Sequence, residues 1–257
     1  MNNIKFFYVK DRVRASAIHF SLSVLATAMV AWLVFFVWYP YPYSEISGGR
    51  ELFVLLVLVD VFVGPLMTFL IFNKMKPFTE LRRDLSVIAL LQISALGYGL
   101  WTVAMARPVH IVFEIDRFRI VQSIEVPEEL LSKAPPDIKI FPITGPTALG
   151  LRSFKNDRER FDMTMEALQG ISLSARPDLW QSYDKSRGDV IVAAKPIDQL
   201  RLRYPDQESS IDSFIFERGM SRAEVRYLPL VGRKSVWTVL VDARNGDLLG
   251  YIPLDSF

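Results

Sequence analysis

Three apolar stretches within the first 106 residues limit what this chain can become more than any other feature. Each is long enough to cross a bilayer core of about 30 Å, which takes roughly 20 residues of helix. The first covers about residues 15–38 and contains no formal charge. The second, 52–72, carries one charge, Asp60, and the third, 85–106, carries none. A cleaved signal peptide is the rival reading of the first stretch. Its basic lead (Lys5, Lys10, Arg12, Arg14) suits a signal, but the apolar run is too long and ends in FFVWYPYPY, not in small residues. Aromatic side chains at that point belong at a membrane interface, so the stretch reads as an uncleaved anchor.

Basic residues in short loops set orientation, because Lys and Arg are retained on the cytoplasmic side. The N-terminal tail carries four and the loop NKMKPFTELRRD carries Lys74, Lys76, Arg82 and Arg83, whereas the loop YPYPYSEISGGRE carries only Arg50. The N-terminus and the second loop are therefore expected in the cytoplasm. Three crossings then place residues 107–257 on the far side, which in a bacterium is the periplasm. Expected domains are 1–106 in the membrane and 107–257 outside it.

Composition agrees with that division. Residues 1–106 contain nine Lys/Arg and six Asp/Glu, while residues 107–257 contain 21 and 22. The second part is thus nearly neutral and lacks the basic stripe of a nucleic-acid binder. The chain has no cysteine, which removes disulfides, thiolate metal sites and thiol catalysis, and its two histidines cannot build a histidine-rich metal site. No phosphate loop, HExxH or GxSxG occurs. No metal, cofactor or catalytic set is expected.

Asp60 is the most informative residue of the membrane part. An acidic side chain near mid-bilayer costs at least about 2.5 kcal/mol and faces protein or water. It has three readings: a carboxyl that pins helix packing, a contact for a partner's membrane helix, or a proton relay. Asp60, Gly64 and Thr68 share one helix face at i, i+4 and i+8, and Gln92, Ala95 and Gly99 share a face of the third span. Counting residues back from the loop sets Gly99 at the depth of Asp60 and Gln92 at that of Thr68. Small residues on facing helices allow close approach and polar ones bond across. These faces are expected to pack, or to seat a third helix between them; Ser23, Thr27 and Ala31 make a comparable face on span one. Pro65 predicts a kink, since it cannot donate to Val61. The Tyr- and Pro-rich first loop reads as an interfacial reversal, with Tyr41, Tyr43, Arg50 and Glu51 as candidate contacts for a partner.

The second part reads as an α+β domain. Residues 109–126 predict one long strand or two short ones, and residues 127–134 a short helix. Residues 155–169 fit a helix with Phe161, Met165 and Leu168 on one face. Two more short helices are predicted over 196–204 and 209–218. A C-terminal antiparallel β-meander follows over 225–230, 235–241 and 247–252, with Asn245–Gly246 as a hairpin turn signal. Glu114 and Asp116 are expected on one strand face, Trp237 and Phe214 in the core, and His110 at the membrane interface.

Long motifs then suggest a family. WYPYPYSEISGGREL, the D-x-x-x-GPL pattern at Asp60–Leu66, LRRDL, and ARPV followed by FEIDRFR resemble the TfpX/TfpZ type IV pilin accessory proteins, over most of residues 12–126. The ending RYLPLVGRKSVWTVLVDARNGDLLGYIPLD is similar as well. The resemblance implies an inner-membrane protein that serves one type IV major pilin and acts on pilus assembly or its balance with retraction. It supplies no catalytic residues. Spans two and three around Asp60, Gly64 and Gly99 would receive the pilin helix, and the soluble domain its head. Rival readings are a pilin-modifying enzyme such as a glycosyltransferase, and a membrane sensor with a periplasmic ligand domain.

Overall fold

In a computed structural model the backbone is described for residues 2–257 and the side chains from Val9 onward. The apolar runs form helices, as a chain in lipid must satisfy its backbone groups internally. Helix α1 (Asn2–Trp32) continues through a π-helical turn, Leu33–Trp38. A short helix α2 (Tyr43–Ile46) follows, then α3 (Gly49–Val57), a second π-helical turn Leu58–Val63, and α4 (Gly64–Ile71). Helix α5 spans Phe78–Met105. Three stretches are long and apolar enough to cross a membrane: Val9–Trp38, Gly49–Ile71 and Phe78–Met105. We call them spans one, two and three. All three start earlier than the apolar runs, because hydropathy marks where lipid begins and a helix extends past it. At Pro65 the irregularity lies just upstream, in the π turn, where a wider register relieves the ring's clash with the preceding turn.

The chain divides into two units, one of residues 1–40 and 49–105, the other of residues 41–48 and 106–257. In the first, span two packs against both others. Ser16 Oγ donates to the Pro65 carbonyl at 2.8 Å, and Tyr39 Oη donates to the Val103 carbonyl at 2.9 Å. Gly49 is needed beneath the Tyr39 ring, where a Cβ would come within 2.5 Å of Cδ1.

The second unit is built on one mixed sheet. Its strands are β1 (Pro108–Glu114), β2 (Arg117–Gln122), β3 (Thr147–Leu151), β4 (Trp180–Ser182), β5 (Lys195–Pro196), β6 (Val225–Val231), β7 (Val236–Asp242) and β8 (Leu248–Ile252). Helices α6 (Asp157–Leu168), α7 (Arg187–Ala193), α8 (Ile197–Arg203) and α9 (Glu208–Glu217) lie among them. The order is β4-β3-β1-β2-β6-β7-β8, with β5 on β6. Pairs β1–β3 and β2–β6 are parallel and the rest antiparallel. The expected C-terminal antiparallel meander is present, in the order β6–β7–β8. Within the segment predicted as strand, Pro108–Gln122 form the hairpin β1–β2 and Ser123–Glu125 a 3-10 turn; the short helix expected next is the 3-10 helix Glu128–Lys133.

Both sheet faces are covered, which is why β1 is buried along nearly its whole length. Ile111, Phe113, Phe118, Ile120, Leu228 and Val239 pack one face. On the other, Val112 and Val121 meet Trp180, and Tyr227 and Leu240 meet Leu200 and Ile211 of α8 and α9. The first face also takes Tyr43 and Ile46, from the loop between spans one and two. Tyr43 and Tyr251 share a 2.6 Å hydroxyl bond, Lys234 N donates to Ile46 O at 3.0 Å, and Gln122 Nε2 reaches Ser47 O at 3.4 Å. That loop is part of the fold, not a simple interfacial reversal.

Four local expectations change. His110 is buried, since β1 begins directly after span three and carries it into the sheet. Asp116 leaves the strand: Ile115 turns at φ 61° and Asp116 pairs with Arg117 at 2.7 Å, so Glu114 and Asp116 do not share a strand face. Helix α6 buries Met163, while Phe161 and Leu168 are 63% and 76% exposed, because the neighbours Leu173 and Leu179 lie on the Met163 side. Between Asp242 and β8 the connection is five residues long, not a two-residue turn, and Gly246 takes positive φ (73°) in it while Asn245 does not.

Candidate functional site

The π turn places Asp60 on the inward side of span two, where it is 6% exposed. Gln92 of span three donates through Nε2 to the Asp60 carbonyl at 3.1 Å and to Oδ1 at 3.3 Å. In a π register a carbonyl looks to the N–H five residues on, and five beyond Asp60 stands Pro65, which has none. Gln92 thus brings a donor to a stretch of backbone that needs one. Gly64 makes the approach possible: a Cβ there would overlap the Gln92 side chain. Asp60, Gly64 and Gln92 therefore meet as one packed polar contact inside the membrane unit.

The remaining three residues are distributed differently. Thr68 is buried against span one, its hydroxyl 2.5 Å from His19 Nδ1. Gly99 faces Leu56, with room for a Cβ only at 3.0 Å, and Ala95 is exposed. Gln92 thus lies opposite Asp60 and Gly64, one to two turns from Thr68, and Gly99 opposite Leu56. The cause is the true start of the third helix at Phe78, which takes in the charged segment that hydropathy leaves outside. The helical hairpin turns two to three residues earlier than the apolar runs imply. The partners of span one, Ser16 and His19, were missed; their signal was two polar residues at i and i+3 on an apolar helix.

Beyond the Asp60–Gln92 contact a groove of about 270 Å³ runs along spans two and three, lined by Leu52, Leu56 and Asp60 from span two and by Ala95, Gly99 and Val103 from span three, among others. Its lining is largely apolar, with polar groups from Asp60, Tyr98 and Thr102. The small residues Ala95 and Gly99 form part of its wall, which suits a close helix approach.

The loop residues fall into two groups. Tyr43 is buried in the second unit, and burial first, then its neighbour Tyr251, pushes its phenol well above the ordinary range. It acts in the fold. Tyr41 is 70% exposed, its ring edge-on to Trp237 at 6.3 Å. Arg50 and Glu51 are exposed in the first turn of span two. In the second unit the charged side chains form ion-pair networks, such as Arg152 with Glu159 at 2.9 Å, which holds that carboxyl down to about 2. Among the described residues, no three His, Cys, Asp or Glu side chains gather as a metal site would require.

Comparison with known proteins reflects this organisation. The family model for fimbrial assembly protein FimB matches residues 7–48, which cover span one and the loop that enters the second unit. Two Dichelobacter nodosus proteins, the fimbrial assembly proteins of serogroups I and E1, are each 35% identical over 259 aligned residues, covering 100% of this chain and 99% of theirs. The fimbrial assembly protein of serogroups C1 and C2 is 42% identical over 126 residues, 49% of this chain and 94% of its own length. No solved structure matches the chain. With its membrane helices and its sheet unit both inside a full-length match, the chain belongs to the fimbrial assembly protein family.

Proposed function

We propose that this chain is a non-enzymatic accessory protein of type IV pilus biogenesis, of the TfpX/TfpZ kind, that binds one major pilin in the inner membrane. The full-length likeness to fimbrial assembly proteins carries the reading. Loop charge gives it a cytoplasmic N-terminus and a periplasmic second unit. A pilin subunit awaiting assembly has an apolar helix in the membrane and a head outside, so a partner with spans and a sheet domain can engage both parts.

The helix site in this reading is the groove between spans two and three. Asp60 supplies a polar group, Ala95 and Gly99 the small-residue wall, and Gly64 with Gln92 hold Asp60 in place; Thr68 supports the same helix from the span one side. Tyr41, Arg50 and Glu51 are the loop contacts, with Tyr43 fixing the loop. The chain then acts on pilus assembly, or on its balance with retraction, by holding subunits and not by altering them.

Purification of the full chain from mild detergent with its major pilin tests this. The wild type is expected to retain pilin, and Asp60→Leu to retain it at least a few-fold less. Unchanged retention would reduce Asp60 to a packing residue. Pilin whose mass changes when the chain is deleted would instead mark a modifying enzyme.

A further inference from the structure

All three connections between the second unit and the membrane spans return to one end of its sheet. Residue 41 lies three residues past span one, residue 48 adjoins span two and residue 106 adjoins span three. Strand β1 begins at this end, where Pro108 pairs with Gln122, the last residue of β2, and β3 begins there opposite His110. Ser123 N donates to Arg107 O at 2.9 Å, Gln122 Nε2 to Ser47 O at 3.4 Å, and Lys234 N, in the turn between β6 and β7, to Ile46 O at 3.0 Å. Three residues of chain reach at most about 11 Å. The bilayer therefore starts close to this end of the sheet.

Apolar side chains stand out from the same end, on backbone that is fixed. Ile124 is 63% exposed on the 3-10 turn Ser123–Glu125. Ser123 before it and Val126 after the turn are buried, and Glu125 Oε2 accepts from Gln122 N at 2.8 Å to close a capping box. Phe141 and Ile143, the latter also 63% exposed, flank the buried Pro142, and His110 Nε2 holds the Ile140 carbonyl beside them at 2.9 Å. Tyr41 adds an exposed ring edge-on to Trp237. Exposed apolar residues scattered singly are normal. These four share the end where the chain enters lipid. The exposed charges at that end are of both signs, Glu45, Lys139 and Arg233 among them, so attraction to anionic lipid is not what would hold it there.

We infer that this end of the second unit rests in the bilayer interface, with Tyr41, Ile124, Phe141 and Ile143 inserted among the lipid headgroups. Tethers of a few residues hold lipid at an effective concentration that no freely diffusing partner reaches, which makes the bilayer the occupant. Tyrosine suits that depth, with its ring in the apolar layer and its hydroxyl in water, and the aliphatic side chains gain by leaving water altogether. Apolar insertion, unlike attraction between charges, is insensitive to salt. The inference goes beyond the pilin reading and does not rest on it.

The chain has no cysteine of its own, so single Ile124→Cys and Ile143→Cys variants can be labelled cleanly in the full-length protein, reconstituted into phosphatidylcholine nanodiscs. Ile115→Cys is the control, because Ile115 is 75% exposed and lies at the opposite end of the β1–β2 hairpin. A water-soluble maleimide is expected to react about tenfold more slowly at positions 124 and 143 than at 115, the ratio that removing one such side chain from water supports. A fluorophore attached at 124 or 143 should be quenched by lipid carrying a nitroxide at its headgroup, at low and high salt alike, and one at 115 should not. All three positions are exposed, so the variants should melt with the wild type, which separates these results from misfolding. Equal labelling at the three positions would lift this end off the bilayer and overturn the inference. Slow labelling at 124 and 143 without quenching by the nitroxide lipid would overturn it too, since the cover would then be protein.

Discussion

His110 has both ring nitrogens satisfied in the core of the second unit. The Ile140 carbonyl can only accept, so Nε2 carries the proton toward it at 2.9 Å, and the Thr147 hydroxyl donates to Nδ1 at 2.8 Å. Trp180 closes the site edge-on at 4.5 Å. That arrangement holds a neutral imidazole, and burial drives its pKa from 6.5 down to about 4. The unfolded chain binds this proton below pH 6.5 and the folded one only near pH 4. The contribution to stability is therefore complete above about pH 6.5 and shrinks as pH falls toward 4. Between pH 7 and 5 the loss is about 2 kcal/mol. Unfolding followed by tryptophan fluorescence should show that much less acid sensitivity in His110→Gln than in the wild type. Equal sensitivity would mean that other groups carry the pH dependence.

Helix α2 contributes more to the second unit than its four residues suggest. Ile46 is fully buried in the core with Tyr43, and a Cβ on Gly232 would collide with the Ile46 side chain. Ile46→Ala in the full-length chain should cost the second unit about 2–5 kcal/mol, the usual range for a buried Ile truncated to Ala. A loop that merely reversed the chain would show almost no change in the same melt. Hydropathy made the three spans legible, and alternation with turn residues did the same for β6, β7 and β8. It could not show α2 in a core completed by Trp237, nearly 200 residues later, because local pattern carries no long-range pairing. Helix α6 fails for a related reason: periodicity finds the stripe Phe161, Met165 and Leu168, but the neighbour on the Met163 side decides which stripe is buried. At the membrane site the residue types Asp60, Gly64, Gln92 and Gly99 were legible from spacing, while their pairing depended on where α5 starts.

At the scale of the whole chain, the loop's place in the fold bears on topology. Residues 41–48 and 106–257 form one compact unit, so they share one side of the membrane. Spans one and two bracket the loop, and spans two and three together return the chain to its side. Three crossings satisfy this condition, and a second span that entered and turned back would not. The expectation for which side it is rests on charge: Lys74, Lys76, Arg82 and Arg83 cluster in the loop between spans two and three, against Arg50 alone near the first. The absence of cysteine permits a direct measurement. A Met75→Cys variant, its position 70% exposed in the second loop, should react with a membrane-impermeant maleimide only after spheroplasts are lysed. Asp157→Cys, at the exposed start of α6, should react in intact spheroplasts. Reaction at position 75 with position 157 protected would reverse the orientation. Reaction at both positions in intact spheroplasts would instead reduce the crossings of the chain and remove the groove between spans two and three from the membrane.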